Sequence, residues 1–430
     1  MNVVKFEKSF SFAKTMDEQD PLRSFRSLFH IPHDPKSDRE FRYFSGNSLG
    51  LQPVKTKEYI ELELEDWARL GVEGHLNARH PWLPYHENLT EQTARLVGAF
   101  PIEVVVMNTL TVNLHLMMVS FYRPTPQRHM ILMEASAFPS DQYAIASQVR
   151  FHGFDPEKSI LLLKPRPNEE TLRQDDILKV IEDQGDSIAL ILLGNSNYLT
   201  GQVFDIESIT RTGHSRGCIV GFDFAHGAGN IKLDLHKWGP DFAVWCSYKY
   251  LNAGPGALSG CFVHERHSRS YDLPRFAGWW GHDKATRFQM PSEFAPIPGA
   301  EGWQLSNPPI FQLAALRASM EIFDRATMPS IREKSVKLTA FLEFLLDQLP
   351  SEFCHQITPR NPAQRGAQLS LRVRGNPKKL LEKCLNSGTI VDFREPDIIR
   401  VAPTALYNTF EDVYHFAELL GEFADGNQKH

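Results

Sequence analysis

The sequence is short of cysteine, of long apolar runs and of blocks of like charge, and each shortage removes a class of protein. Its five cysteines (Cys218, Cys246, Cys261, Cys354, Cys384) stand at wide, irregular gaps with no C-x-x-C pair. An odd set spaced this way argues against a disulfide framework or a zinc ribbon and leaves free buried thiols. The longest unbroken aliphatic run, Ile188 to Leu193, falls far below the roughly 20 apolar residues that span a bilayer. The N-terminal stretch MNVVKFEKSFSFAKTMDEQD breaks its apolar residues with charges and offers no signal-peptide core, so a cytoplasmic protein is expected. The net charge is -6 without any basic cluster, which disfavours nucleic acid and anionic membranes as partners and favours a small molecule. Histidine is plentiful at 17, yet no H-E-x-x-H occurs and His264-Glu-Arg-His267 has the wrong spacing, so no metal is expected.

What is present alternates between short apolar runs and longer amphipathic stretches, the pattern of an α/β protein. Helical spacing marks Val54 to Leu70, Leu89 to Phe100, Asn113 to Tyr122 and Asp141 to Val149. Strand-like runs are Met130 to Met133, Ile160 to Leu163, Ala189 to Leu193, Cys218 to Phe224 and Phe242 to Cys246. Strands apolar at consecutive positions imply a mainly parallel sheet covered on both faces, with a ligand at its carboxyl edge. Farther on, Ile310 to Arg325 and Ile331 to Leu349 read as long helices, and Ala367 to Val373 and Thr389 to Phe393 as strands. The expected organisation is a segment 1–50 packed on a small domain, a large domain 51–302, and a smaller α+β domain 303–430.

Three features carry chemistry. Asp223 ends an apolar strand, where a carboxylate needs a cation or caps the next helix. Lys249 follows the next apolar run, flanked by Tyr248 and Tyr250 and followed by Gly254, Gly256 and Gly260. A lysine there is either paired with an acid or a nucleophile toward carbonyls, and the glycines are read as room for a bulky ring. Thr109 and Thr111 open a helical run, either as simple caps or as an anion site suited to phosphate. Strand-end Asp, strand-end Lys and a phosphate-ready helix start are the parts that pyridoxal phosphate requires. The spacing Gly254-x-Gly256-x-x-x-Gly260 does not fit a dinucleotide loop, and no acid follows at the required distance.

The segments GFDFAHGAGN, WCSYKYLNAGPG, GWWGH, SNPP and AFPSDQYA together, over nearly the whole chain from about Tyr43 to Asn408, resemble the kynureninase family. These are pyridoxal phosphate enzymes of the aspartate-aminotransferase-like superfamily. The resemblance implies a large domain with a seven-stranded, mainly parallel sheet and a smaller α+β domain. It also implies a homodimer and hydrolytic cleavage of L-kynurenine or 3-hydroxy-L-kynurenine to anthranilate or its hydroxy analogue plus L-alanine, in tryptophan catabolism and NAD biosynthesis.

Carried over by motif, Lys249 bonds the cofactor and then carries the α proton, and Tyr248 serves as acid and base. Asp223, helped by His226, pairs with the pyridine nitrogen. Phe138 stacks on the ring, with Pro139 and Ser140 beside it and Asp141 at the polar edge. Leu110, Thr111, Tyr248 and Trp279 form the phosphate cup, Asn307 reaches the site and the substrate's aromatic half, and Arg400 clamps the α-carboxylate. Val72 stands where the resemblance leads one to look for a histidine, with His75 and His80 as substitutes, so the ring-hydroxylation preference is left open. A cysteine desulfurase is a competing reading that needs a mobile reactive cysteine. A ligand-sensing regulator needs a DNA-binding segment, and none is left over.

Overall fold

A computed structural model describes residues 5–35 and 37–427; the first four residues of the expected N-terminal segment and the last three of the expected small domain lie outside them. The central sheet has seven strands: β1 (Val104–Met107), β2 (Met130–Glu134), β3 (Ile160–Leu163), β4 (Ile188–Gly194), β5 (Ile219–Asp223), β6 (Phe242–Cys246) and β7 (Ser259–Val263). Their order is β1-β7-β6-β5-β4-β2-β3, and β7 alone runs antiparallel to its neighbours. Because β7 lies between β1 and β6, its reversal leaves β1 running in the common direction. All strand exits that matter therefore face one edge.

The apolar runs become strands because helices cover both faces; β4 and β6 are buried along almost their whole length. The run of β1 and the Gly-bearing run of β7 are not picked out by periodicity. Gly260 on β7 is required sterically, since a Cβ there would lie 2.0 Å from the Trp245 indole on the adjacent strand.

A second sheet of four antiparallel strands comprises β8 (Cys354–Gln356), β9 (Leu369–Val373), β10 (Asp392–Arg394) and β11 (Ile398–Val401), in the order β10-β11-β9-β8. The expected strand Thr389 to Phe393 divides in two. Thr389–Ile390 pairs in parallel with Arg42–Tyr43, and Asp392–Arg394 joins this sheet. The helix Phe10–Glu18 packs on Phe410–Asn427, and Asp17 caps that last helix by accepting from the Phe410 and Glu411 amides at 2.7 and 2.9 Å. One apolar cluster joins the large sheet to the helix Ile310–Ala326, and another fills the small sheet and the last helix.

Candidate active site

Strand exits and helix starts converge on one cavity of about 180 Å³. Strand β2 delivers Glu134, β4 Gly194, β5 Asp223, and the turn after β6 Tyr248 and Lys249. The cavity is completed by the starts of α1 (Leu110–Phe121) and α2 (Pro139–Phe151). Neither helix is capped by a side chain: Thr109 makes no capping bond and Phe138 has none to offer. Thr111 Oγ1 instead lies 2.8 Å from Ser140 Oγ, tying the two helix starts together. The amides of Leu110 and Thr111 find no partner among the described residues. Open amides, two hydroxyls and two helix dipoles make a cradle for a dianionic phosphate.

The lysine end is a network. Gly50 donates its amide to the Tyr248 carbonyl at 2.8 Å, and a Cβ at Gly50 would meet the Lys249 carbonyl oxygen at 2.2 Å, so glycine is what lets the N-terminal segment seal this turn. Lys249 Nζ lies 3.1 Å from His226 Nε2. Burial, and then the charges of Lys249 and Arg400, hold the His226 imidazole well below its ordinary pKa, so it is the neutral acceptor for the lysine amine. The Phe138 ring is 45% exposed at the cavity and its centroid is 5.9 Å from Nζ. A large apolar face left open beside a lysine suits a planar ring laid against it.

Three buried carboxyls share this space with one lysine. Burial pushes Asp223 up, while Lys249 and the Ala225 amide, 2.6 Å from Oδ1, favour its ionised form. Asp141 is raised further, by burial and then by the charge of Asp223, with which it shares a hydrogen bond. Asp223 is thus the anion of the pair and Asp141 keeps the proton. Burial also raises Glu134 to about 7, against hydrogen bonds from Asn197 (2.9 Å) and the Gly194 amide. Burial and then Cys246 push the Tyr248 phenol up, so it retains its proton. A buried anion, an uncapped phosphate cradle, a lysine and an open aromatic face in one lining fit pyridoxal phosphate.

Of the sequence-predicted residues, the cavity brings together Leu110, Thr111, Phe138, Ser140, Asp141, Asp223, His226, Tyr248 and Lys249, with Pro139 as the first residue of α2. Arg400 on β11 is buried just behind it, held by the Asp392 carboxylate and donating to the Tyr198 carbonyl at 2.6 Å. Trp279 and Asn307 line a different, more apolar cavity of about 510 Å³, together with Val72, His75, Trp280 and Phe288. There the Trp279 indole donates to the Arg287 carbonyl at 3.2 Å. His75 belongs to that wall; His80 packs against Tyr85 instead, and burial lowers its pKa.

The glycines after Lys249 serve another purpose than room for a ring. Gly254 and Gly256 adopt positive φ (93° and 69°) with nothing near their Cβ positions, and Gly260 serves sheet packing. Glu134, Ser196 and Tyr198 also line the site and have no place in the motif reading. Glu134 had a signal, an acid closing the apolar run Met130 to Met133, the same cue that marks Asp223. None of the five cysteines lines the cavity, and burial raises the pKa of every one of them.

A family model described as the kynureninase C-terminal domain matches residues 331–420. Over its length the chain is 65% identical to a protein named kynureninase from Myxococcus xanthus, covering 96% of this chain and 97% of that one. It is 59% identical to one of the same name from Koribacter versatilis, covering 97% and 98%. Among solved structures it resembles a cysteine desulfurase from Thermococcus onnurineus (TM-score 0.73, 17% identity, 96% and 98% covered). It also resembles a C-DES mutant with glycine covalently linked to the PLP cofactor (TM-score 0.76, 18% identity, 89% and 96% covered). At these identities the two structures establish the fold, an aspartate-aminotransferase-like α/β architecture.

Proposed function

The chain belongs to the kynureninase family, and from that premise we propose that the cavity between β5, β6 and the starts of α1 and α2 is its active site. The activity is pyridoxal-phosphate-dependent hydrolysis of L-kynurenine, or its 3-hydroxy form, to anthranilate or 3-hydroxyanthranilate and L-alanine, a step of tryptophan catabolism. The observation that supports the site is the half-buried Lys249 and the buried Asp223 sharing one cavity with two uncapped, mutually tied helix starts.

Pyridoxal phosphate, when bound, supplies the electron sink that makes the substrate's α proton removable and its β–γ carbon bond cleavable. Lys249 would hold it through its amine, Asp223 would pair with the pyridine nitrogen, Phe138 would pack on the ring, and the α1 and α2 starts would take the phosphate. Lys249 then moves a proton at the substrate α carbon, with neutral His226 as the acceptor that orients its amine. Tyr248 keeps its phenolic proton to deliver it to the β carbon, which stays in the alanine product, while water adds to the γ carbonyl and leaves its oxygen on the aromatic acid as the β–γ bond breaks. Arg400 takes the α-carboxylate with the guanidinium donors that Asp392 and the Tyr198 carbonyl leave free, among them the unpartnered Nε.

A cytoplasmic homodimer is part of the same reading. Trp279 and Asn307, on a separate exposed apolar wall with His75, support a site completed by the partner, since neither joins the cavity of its own chain. The division into 1–50, 51–302 and 303–430 is likewise proposed. Of three apolar clusters, two lie on the large sheet and one fills the small sheet and the last helix, which supports two bodies, and the helix Ile310–Ala326 sides with the larger.

The test is an absorbance spectrum of purified protein, wild type beside Lys249→Ala, followed by L-kynurenine with detection of anthranilate fluorescence. A visible cofactor band lost in the variant, with anthranilate released by wild type alone, is the expected result. A band without anthranilate sinks the substrate assignment and spares the cofactor site.

A further inference from the structure

The segment that closes the active cavity also closes a larger one. Gly194 and Ser196 line the active cavity, while Asn195 between them lines a cavity of about 520 Å³, and the two share no lining residue. Its other walls are the start of the helix Ile206–Ser215, the Ile231–Lys232 turn, Arg332 on the helix Met328–Leu346, and residues 361–365.

The charges around it are not balanced. The acids on its wall are engaged: Asp205 accepts from the Ser208 amide and hydroxyl at 3.1 and 2.6 Å, and Glu207 lies 4.0 Å from Lys237. Of the cations, Arg365 is paired with Glu343. Arg332 is held by the Pro362 and Arg365 carbonyls at 2.5 and 2.8 Å and has no carboxylate partner among the described residues. Lys232 is exposed and makes no hydrogen bond or ion pair there. Asn195, fully buried, has no partner at either Oδ1 or Nδ2. Phe204, Ile231 and Trp238 supply an apolar wall. Two cations without a carboxylate partner, a buried amide without a partner and an apolar wall are groups that a small amphipathic anion could engage together.

We propose that this cavity is a second ligand site, for a small organic carboxylate. Arg332 and Lys232 take the carboxylate, Asn195 a polar substituent, and Phe204, Ile231 and Trp238 the apolar body. Burial and then the charge of Arg365 push the Arg332 pKa down to about 10, a direction that a bound anion reverses.

The experiment is calorimetric titration of benzoate into the cofactor-loaded enzyme, wild type beside Lys232→Glu and Arg332→Gln, with cofactor absorbance recorded throughout. The expected result is one benzoate site per chain that leaves the visible band unchanged and weakens about tenfold or more in each variant. Lys232→Glu keeps the test decisive if Arg332→Gln fails to fold, because Lys232 supports nothing. Benzoate binding that always moves the cofactor band, or equal affinity in wild type and Lys232→Glu, overturns the proposal. Inorganic phosphate that competes at equal concentration overturns the assignment of an organic ligand.

Discussion

On one side of Asn195 the protein buries more acids than cations; on the other, two of the cations, Arg332 and Lys232, stand without a carboxylate partner among the described residues although Asp205 and Glu207 share the wall. The front cavity holds Glu134, Asp141 and Asp223 against Lys249, and the surplus is absorbed as protons on Glu134 and Asp141. The rear cavity cannot use that route, because a guanidinium keeps its proton across the physiological range. A buried acid surplus adjusts itself internally, whereas a cation surplus waits for an anion from outside. The front is therefore tuned by proton affinity and the rear by ligand concentration.

The sharpest break in this contrast is Lys249→Ala. It removes the only cation of the front lining and the proton carrier, and a kcat loss of at least about 10³-fold is expected in anthranilate release. Next comes Asp223→Asn, which keeps shape and removes charge. Turnover falls by about 10²- to 10³-fold, read in kcat/KM with the visible band as a check on cofactor loading.

A smaller effect concerns Glu134. Its carboxyl binds a proton up to about pH 7 in the folded chain, against an ordinary value of 4.5, so the folded state holds a proton that the unfolded state has already lost. This contribution to stability is complete below pH 4.5 and lost as pH rises through 7, in total roughly 3 kcal/mol. Urea melts of wild type between pH 5 and 8 should show the decline, and Glu134→Gln should flatten it; parallel pH profiles would remove Glu134 from the account. The smallest effect is expected at the rear: Lys232→Glu leaves kcat for kynurenine within about twofold of wild type, since it touches no residue of the front cavity.

Much of this was legible in the residues. Consecutive apolar positions in the runs 130–133, 160–163, 189–193, 218–224 and 242–246 announced strands, buried on both faces except for the edge strand 160–163, where Leu162 is exposed, and the polar residues that close two of those runs marked the catalytic edge. Strands β1 and β7 were less legible. The first is a short valine run that periodicity leaves ambiguous, and the second carries a glycine whose reason is Trp245 on another strand. Glu134 carried the right cue and lacked a motif. Trp279 and Asn307 were tied to the cofactor by resemblance, and which chain's cavity they serve depends on a partner surface that no local pattern encodes.

By itself the sequence determined five strands of the sheet, their mainly parallel run and the identity of the lysine, aspartate and helix start, because consecutive apolar positions and strand-end chemistry are local demands written residue by residue. Only the tertiary structure decided which acids keep their protons, where Arg400 is held, and that Gly194, Asn195 and Ser196 divide two cavities. Those outcomes depend on burial and on distances between residues far apart in the chain, and Coulomb energy and desolvation are set by three-dimensional neighbours.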